Sequence, residues 1–176
     1  SVPADVDAVI PNLMQIMHHQ EWPRDVEWWL RAFIGRMLHP VGGPLKLESW
    51  QVIAMLLGLG NTGKSTVVND VVGRFFDTED TFLVNNNMEK QYGWSGAKGK
   101  YVWLAPEIKA DFAQHTDQAQ WQQLVCAERF QAAKKYKDAL QMLPEEIPTG
   151  MMAGNENIDF HDNGSSVSRR RARPAR

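Results

Sequence analysis

Apolar positions along the chain change period several times, and each change marks an element. Over residues 24–38, Val26, Trp29, Leu30, Phe33, Ile34, Met37 and Leu38 recur at helical spacing, while Arg24, Asp25, Glu27, Arg31 and Arg36 fall off that stripe. This predicts an amphipathic helix. His39-Pro40 stops it, because the residue before a proline is pushed out of helical geometry. Val41-Gly42-Gly43-Pro44 reads as loop. Residues 51–57 form a short apolar run bounded by Gly58, which predicts a buried strand. From Gly63 a helix is expected, with Val67, Val68, Val71, Val72 and Phe75 as its apolar face. Residues 82–84 suggest a short strand, and Asn85, Asn86, Asn87, Gly93 and Gly96 are loop chemistry.

Residues 101–105 read as a second buried strand that ends at Pro106-Glu107. A helix is predicted over 116–127, where Asp117 followed by Gln120 suits a capping box. Residues 130–136 alternate in polarity, which favours one arm of a hairpin over a helix. Residues 147–153 are a third strand candidate, weakened by Pro148 and Gly150. Strand and helix alternate, so the expected fold is α/β with a parallel central sheet flanked by helices, preceded by a short helical segment.

Composition narrows this further. The chain has 176 residues, 43% hydrophobic and 23% charged, which suits one globular domain and not a disordered chain. The longest apolar run is residues 52–57, far short of a membrane span. No signal peptide is read at the start, and Cys126 is the single cysteine, which excludes an internal disulfide and a cysteine-based zinc site. An intracellular compartment and no membrane are expected. The net charge is −2, yet residues 169–176 hold five arginines and no acid, leaving 14 basic against 21 acidic residues in the body. Any nucleic-acid contact must come from a local patch.

The strongest motif is Gly58-Leu59-Gly60-Asn61-Thr62-Gly63-Lys64-Ser65, followed by Thr66. It matches G-x-x-x-x-G-K-[ST] between an apolar strand and an amphipathic helix. Glycines let the backbone approach phosphate oxygens, so Gly58, Gly60, Asn61, Thr62, Gly63, Lys64, Ser65 and Thr66 are the candidate nucleotide-binding residues. Lys64 suits the β- and γ-phosphates, and Ser65 suits Mg²⁺. A nucleoside triphosphate with Mg²⁺ is therefore the expected ligand.

Such a site needs an acid at a neighbouring strand tip, and Glu107 supplies one. Either it both holds metal and orients water, or metal ligation rests mainly on Ser65 and water. Asn155, just past the third strand, can hydrogen-bond a γ-phosphate and a lytic water. Arg169 or Arg170 is a candidate arginine finger, acting in its own subunit or in a neighbour's site.

This order of motifs resembles the superfamily 3 helicases, and in particular the poxvirus-type primase–helicase group of large DNA viruses, phages and plasmids. The residues that carry the likeness run from the helical lead-in Trp28-Trp29-Leu30 through Trp50-Gln51-Val52 and Gly60-Asn61-Thr62-Gly63-Lys64-Ser65-Thr66. They continue through Ala133-Lys134-Lys135-Tyr136-Lys137-Asp138 and Ala153-Gly154-Asn155-Glu156 to the stretch 164–170. The resemblance implies a phosphate-loop NTPase fold of the AAA+ kind. It also implies an ATP-driven homo-hexamer that translocates on single-stranded DNA at sites of replication, within a host cell if viral. It implies that Lys134, Lys135 and Lys137 contact DNA from a hairpin, with Tyr136 offering a ring to a base.

Pro106 stands where members often carry the first of two acids. The chain starts at Ser1 and stops soon after the paired arginine, so a fragment of a longer protein, truncated at its C-terminus, is expected. The implied division is a helical N-terminal segment (1–45), a phosphate-loop ATPase core (46–168) and an arginine-rich tail (169–176). Two other functions fit the loop: a phosphate-loop kinase of a small molecule, and a nucleotide-binding assembly module without motor activity.

Overall fold

A computed structural model of the chain describes residues 15, 17–39, 51–90, 93–134, 137–158, 160 and 171–172. The first helix, α1 (Arg24–Met37), buries Leu30, Phe33, Ile34 and Met37 of the stripe its spacing predicts, while Val26 is half-buried and Trp29 and Leu38, at the edge of that stripe, are exposed. Asp25 and Glu27 sit in its first turn and Arg36 in its last, which complements the helix dipole. The apolar run becomes β1 (Ile53–Leu57).

The next helix, α2, starts at Lys64–Thr66, widens into a π-helix over Val67–Val72 and tightens into a 3-10 turn at Gly73–Phe75. Val67, Val68 and Val72 are buried, but Phe75 is 52% exposed, against the expectation from a plain α-helical face. The wide turns rotate less per residue, so the last turn is carried away from the core.

Five strands make one sheet in the order β2 (Thr81–Leu83), β3 (Val102–Ile108), β6 (Thr149–Gly154), β1, β7 (Arg171–Ala172), and every neighbouring pair is parallel. The fold is thus α/β with a parallel sheet flanked by helices. The apolar runs read as continuous because both faces are covered. Ala54, Val102, Leu104, Met151 and Ala153 face α1 and α2. Ile53, Met55, Trp103, Ala105 and Met152 face the other side, against α3 (Gln118–Cys126) and the 3-10 turn Gly93–Ala97. Asp117 caps α3 as expected, its carboxylate accepting from the Gln120 backbone N–H at 3.0 Å.

That second face is aromatic. Trp94, Trp103 and Trp121 meet one another at centroid distances of 5.7, 5.8 and 6.0 Å. The Trp94 indole N–H, buried, donates to the Thr116 hydroxyl at 2.8 Å. Gly150 faces Trp103 across the β3–β6 ladder, and a Cβ there would lie 2.0 Å from the indole ring. The glycine that weakens the strand reading is therefore required by the neighbouring tryptophan.

An antiparallel hairpin, β4 (Phe130–Lys134) with β5 (Lys137–Met142), stands apart from the main sheet. Phe130, Ala132 and Met142 bury its inner face. Within the arginine-rich stretch, Arg171 and Ala172 pair with Ile53 and Ala54 as β7. Among the described residues, no helix is long and apolar enough to cross a membrane.

Candidate functional site

The Gly58–Ser65 segment joins β1 to α2 at the C-terminal ends of the parallel strands. Two of its residues have left-handed backbone, Asn61 at φ 62° and Gly63 at φ 79°. Asparagine and glycine tolerate that region better than other residues, which is why the chain can turn so tightly before the helix. Lys64 is buried, only 8% exposed. Its ammonium donates to the Leu59 carbonyl at 2.6 Å and to the Thr62 hydroxyl at 3.1 Å.

Register brings the rest of the site to the same level. Leu57 pairs with Gly154 on one side of β6, and Ile108 pairs with Gly154 on the other. The loop after β1, the residue after β6 and the tip of β3 therefore lie side by side. Gly154 has to be glycine for this approach, since a Cβ would sit 2.6 Å from the Ile108 carbonyl oxygen.

The tip of β3 differs from the sequence expectation. The strand runs through Pro106 and Glu107 to Ile108 instead of ending before them. Between the pairs Ala105–Met152 and Ile108–Gly154, two residues on β3 oppose one on β6, which is a β-bulge. Proline has no N–H to leave unpaired at such a place. The bulge leaves Pro106 half-buried and Glu107 exposed on a strand whose other residues are buried. The Pro106 carbonyl accepts from the Ser65 hydroxyl at 2.9 Å, which leaves the lone pairs of that hydroxyl oxygen for a cation.

A cleft of about 300 Å³ opens here, lined by residues 60–66, Pro106, Glu107, Gly154 and Asn155. It unites Gly60, Asn61, Thr62, Gly63, Lys64, Ser65, Thr66, Glu107 and Asn155 from the sequence-based set. Gly58 lies beneath the loop, 3.7 Å from the Thr62 hydroxyl and 3.9 Å from the Lys64 stem when given a Cβ, and does not line the cleft.

The donor set suits a magnesium nucleotide. A buried ammonium and a hydroxyl stand on one wall, with a carboxylate and an amide on the other. Among the described residues, no group of three or more His, Cys, Asp or Glu side chains could hold a metal ion by itself. A cation in this cleft would thus take Ser65, Glu107, phosphate oxygens and water as ligands.

The lysine segment lies at the far end of the hairpin. Lys134 is exposed and pairs across the turn with Lys137, whose backbone alone is described. Lys135 and Tyr136 lie outside the described residues, as do Arg169 and Arg170. The other end of the hairpin is tethered. Lys98 donates to the Gln141 carbonyl at 2.9 Å and pairs with Glu146 at 3.3 Å, while the Gln120 amide donates to the Gln131 carbonyl at 3.3 Å.

Sequence reasoning passed over Asn86. Its side-chain amide donates to the Glu107 carbonyl at 3.1 Å and accepts from the Lys109 backbone N–H at 2.9 Å. The run of three asparagines was its only signal, and it reads equally well as a plain loop.

No curated protein matches the chain. The chain belongs to the family of unknown function DUF5906, which it matches over residues 56–171, from the end of β1 to the first residue of β7.

Proposed function

We propose that the chain is a phosphate-loop, AAA+-like ATPase domain that couples ATP hydrolysis to movement on single-stranded DNA, as in the superfamily 3 helicases. One observation carries this reading. Lys64, Ser65, Glu107 and Asn155, spread over more than half the chain, line a single cleft at the C-terminal ends of β1, β3 and β6. β6 lies between β1 and β3, so Asn155 stands between the loop and the acid.

In this reading the loop N–H groups and Lys64 bind the β- and γ-phosphates. The Lys64 ammonium exchanges the Leu59 carbonyl and Thr62 hydroxyl for phosphate oxygens, trading neutral acceptors for charged ones. Magnesium, when bound with the nucleotide, neutralises charge on the phosphate oxygens, and Ser65 and Glu107 are the residues that would hold it. Glu107 also orients and deprotonates water, and Asn155 holds the γ-phosphate side of the cleft.

Arg171, next in sequence to the candidate fingers Arg169 and Arg170, pairs with Ile53 at the end of β1 remote from the loop. That supports delivery of the finger to a neighbouring subunit within a homo-hexamer, an effect worth roughly 10³–10⁵ in rate. The exposed Lys134 at the hairpin end supports a backbone-reading contact with single-stranded DNA, shared with Lys135 and Lys137. Replication is the setting in which such a motor acts.

A second reading is a nucleotide-binding assembly module without turnover. The observation that favours it is the engagement of Lys64 by its own loop. ATP turnover measured against protein concentration, with and without single-stranded DNA, separates the two. A rate per subunit that rises with both supports the motor. A flat, DNA-indifferent rate overturns it in favour of the module.

A further inference from the structure

The parallel ladder between β2 and β3 closes early. Leu83 pairs with Leu104, and the Val84 N–H donates to the Leu104 carbonyl at 2.9 Å. The chain then turns, with the Asn85 carboxamide oxygen accepting from the Asn87 N–H at 2.9 Å. On this side β3 continues for four more residues without a strand beside it, and those residues include Pro106 and Glu107.

Asn86 fills the missing place. In a parallel ladder, a residue on one strand donates to the carbonyl before its partner and accepts from the N–H after it. The Asn86 side chain donates to the Glu107 carbonyl and accepts from the Lys109 N–H, the two groups that flank Ile108. Ile108 is thus bracketed by a carboxamide on one side, while β6 pairs with it on the other at Gly154. A carboxamide is the one side-chain group that carries a donor and an acceptor at peptide spacing. The two partners also fix which way round the amide lies, since a flipped group would set oxygen against oxygen. Aspartate lacks the donor, and glutamine is one methylene too long.

Resting on the hydrolytic reading above, we propose that Asn86 is a positioning residue for Glu107. It completes the sheet in place of a strand and thereby holds the bulged Pro106–Glu107 tip over the loop. Its contact is with the Glu107 backbone, so the carboxylate stays available to the cleft. Besides the clamp, β6, the Ser65 hydroxyl and the burial of Ile108 hold the tip among the described residues, while Pro106 and Glu107 themselves stand outside the regular ladder as the bulge.

The test compares the full chain with Asn86→Ala and Asn86→Asp in DNA-stimulated ATP turnover and in backbone amide exchange at Lys109. Asn86→Ala is expected to lower kcat about 10- to 100-fold with KM changed less than about twofold, the mark of a misplaced group that does not bind substrate. Lys109 exchange should quicken in the same variant. Asn86→Asp keeps the acceptor for Lys109, so exchange there stays slow while kcat still falls, which guards against an Asn86→Ala that fails to fold.

An unchanged kcat with quickened Lys109 exchange overturns the proposal, as does Lys109 exchange indifferent to Asn86→Ala. If the unaltered chain shows no turnover while Lys109 still responds to Asn86→Ala, the hydrolytic reading falls and the clamp stands. Turnover with no response at Lys109 gives the reverse.

Discussion

The Ser65 hydroxyl donates to the Pro106 carbonyl at 2.9 Å, a link between residues 41 apart in sequence. It ties the first turn of α2 to the bulged tip of β3, across the mouth of the cleft. Pro106 brings no side-chain acid to this tip, and its carbonyl orients the hydroxyl opposite. Ser65→Ala removes one exposed hydrogen bond, worth about 1 kcal/mol. The expected loss in Tm is therefore only about 2–4 °C. The larger effect falls on the ratio of nucleotide Kd without and with Mg²⁺, which should shrink toward one. A ratio equal to that of the unaltered chain would remove Ser65 from the proposed magnesium ligands.

Gly150→Ala should be among the most damaging changes in the core. The new Cβ would meet the Trp103 indole at 2.0 Å, and Trp103 is wedged against Trp94 and Trp121. Overpacking of this kind costs about 3 kcal/mol or more. Chemical denaturation followed by tryptophan fluorescence reads both the loss and the loosening of the aromatic cluster.

Much of this architecture was legible in the sequence. The α1 stripe is a clean helical period, and β1, β3 and β6 stand out as apolar runs too short for helices. The loop motif carries its own geometry. What was not legible arises between elements. Proline ordinarily ends a strand, and only the bulge against Ala153 lets β3 run on through Pro106. Gly150 counts against a strand until Trp103 is seen across from it. Phe75 obeys a helical period that the π turns of α2 break. Asn86 depends on a partner 21 residues away, which no local pattern reveals.

The hairpin lysines are expected to act through charge alone. Lys135→Ala should weaken single-strand binding and reduce the slope of log K against log salt by about 0.7, one phosphate contact. Lys134→Ala, at the exposed end of β4, should do the same. An unchanged slope in both variants would remove these lysines from the proposed DNA contact.

Glu146 anchors the base of that hairpin. The Leu143 backbone N–H donates to its carboxylate at 3.0 Å and the Lys98 ammonium lies 3.3 Å away, and these two, the Leu143 hydrogen bond first, hold its pKa below the ordinary 4.5 against desolvation by burial. The stabilisation is present above that ordinary value and is lost as pH falls through the lowered one. Glu146→Gln should therefore lower Tm at neutral pH, with the gap to the unaltered chain closing as pH drops below 4.5. A gap that stays constant with pH would show that the charge contributes nothing.

The account's central claim is that the cleft between the loop and β3 binds a magnesium nucleoside triphosphate through Lys64. Calorimetric titration of the full chain with ATP and Mg²⁺, set against Lys64→Ala, tests it most directly. Among the described residues the Lys64 amine hydrogen-bonds only within its own loop, so the variant should keep its fold and its far-ultraviolet circular dichroism. The account predicts saturable one-to-one binding that is lost in Lys64→Ala. Equal binding by both proteins, or none by either, would contradict it.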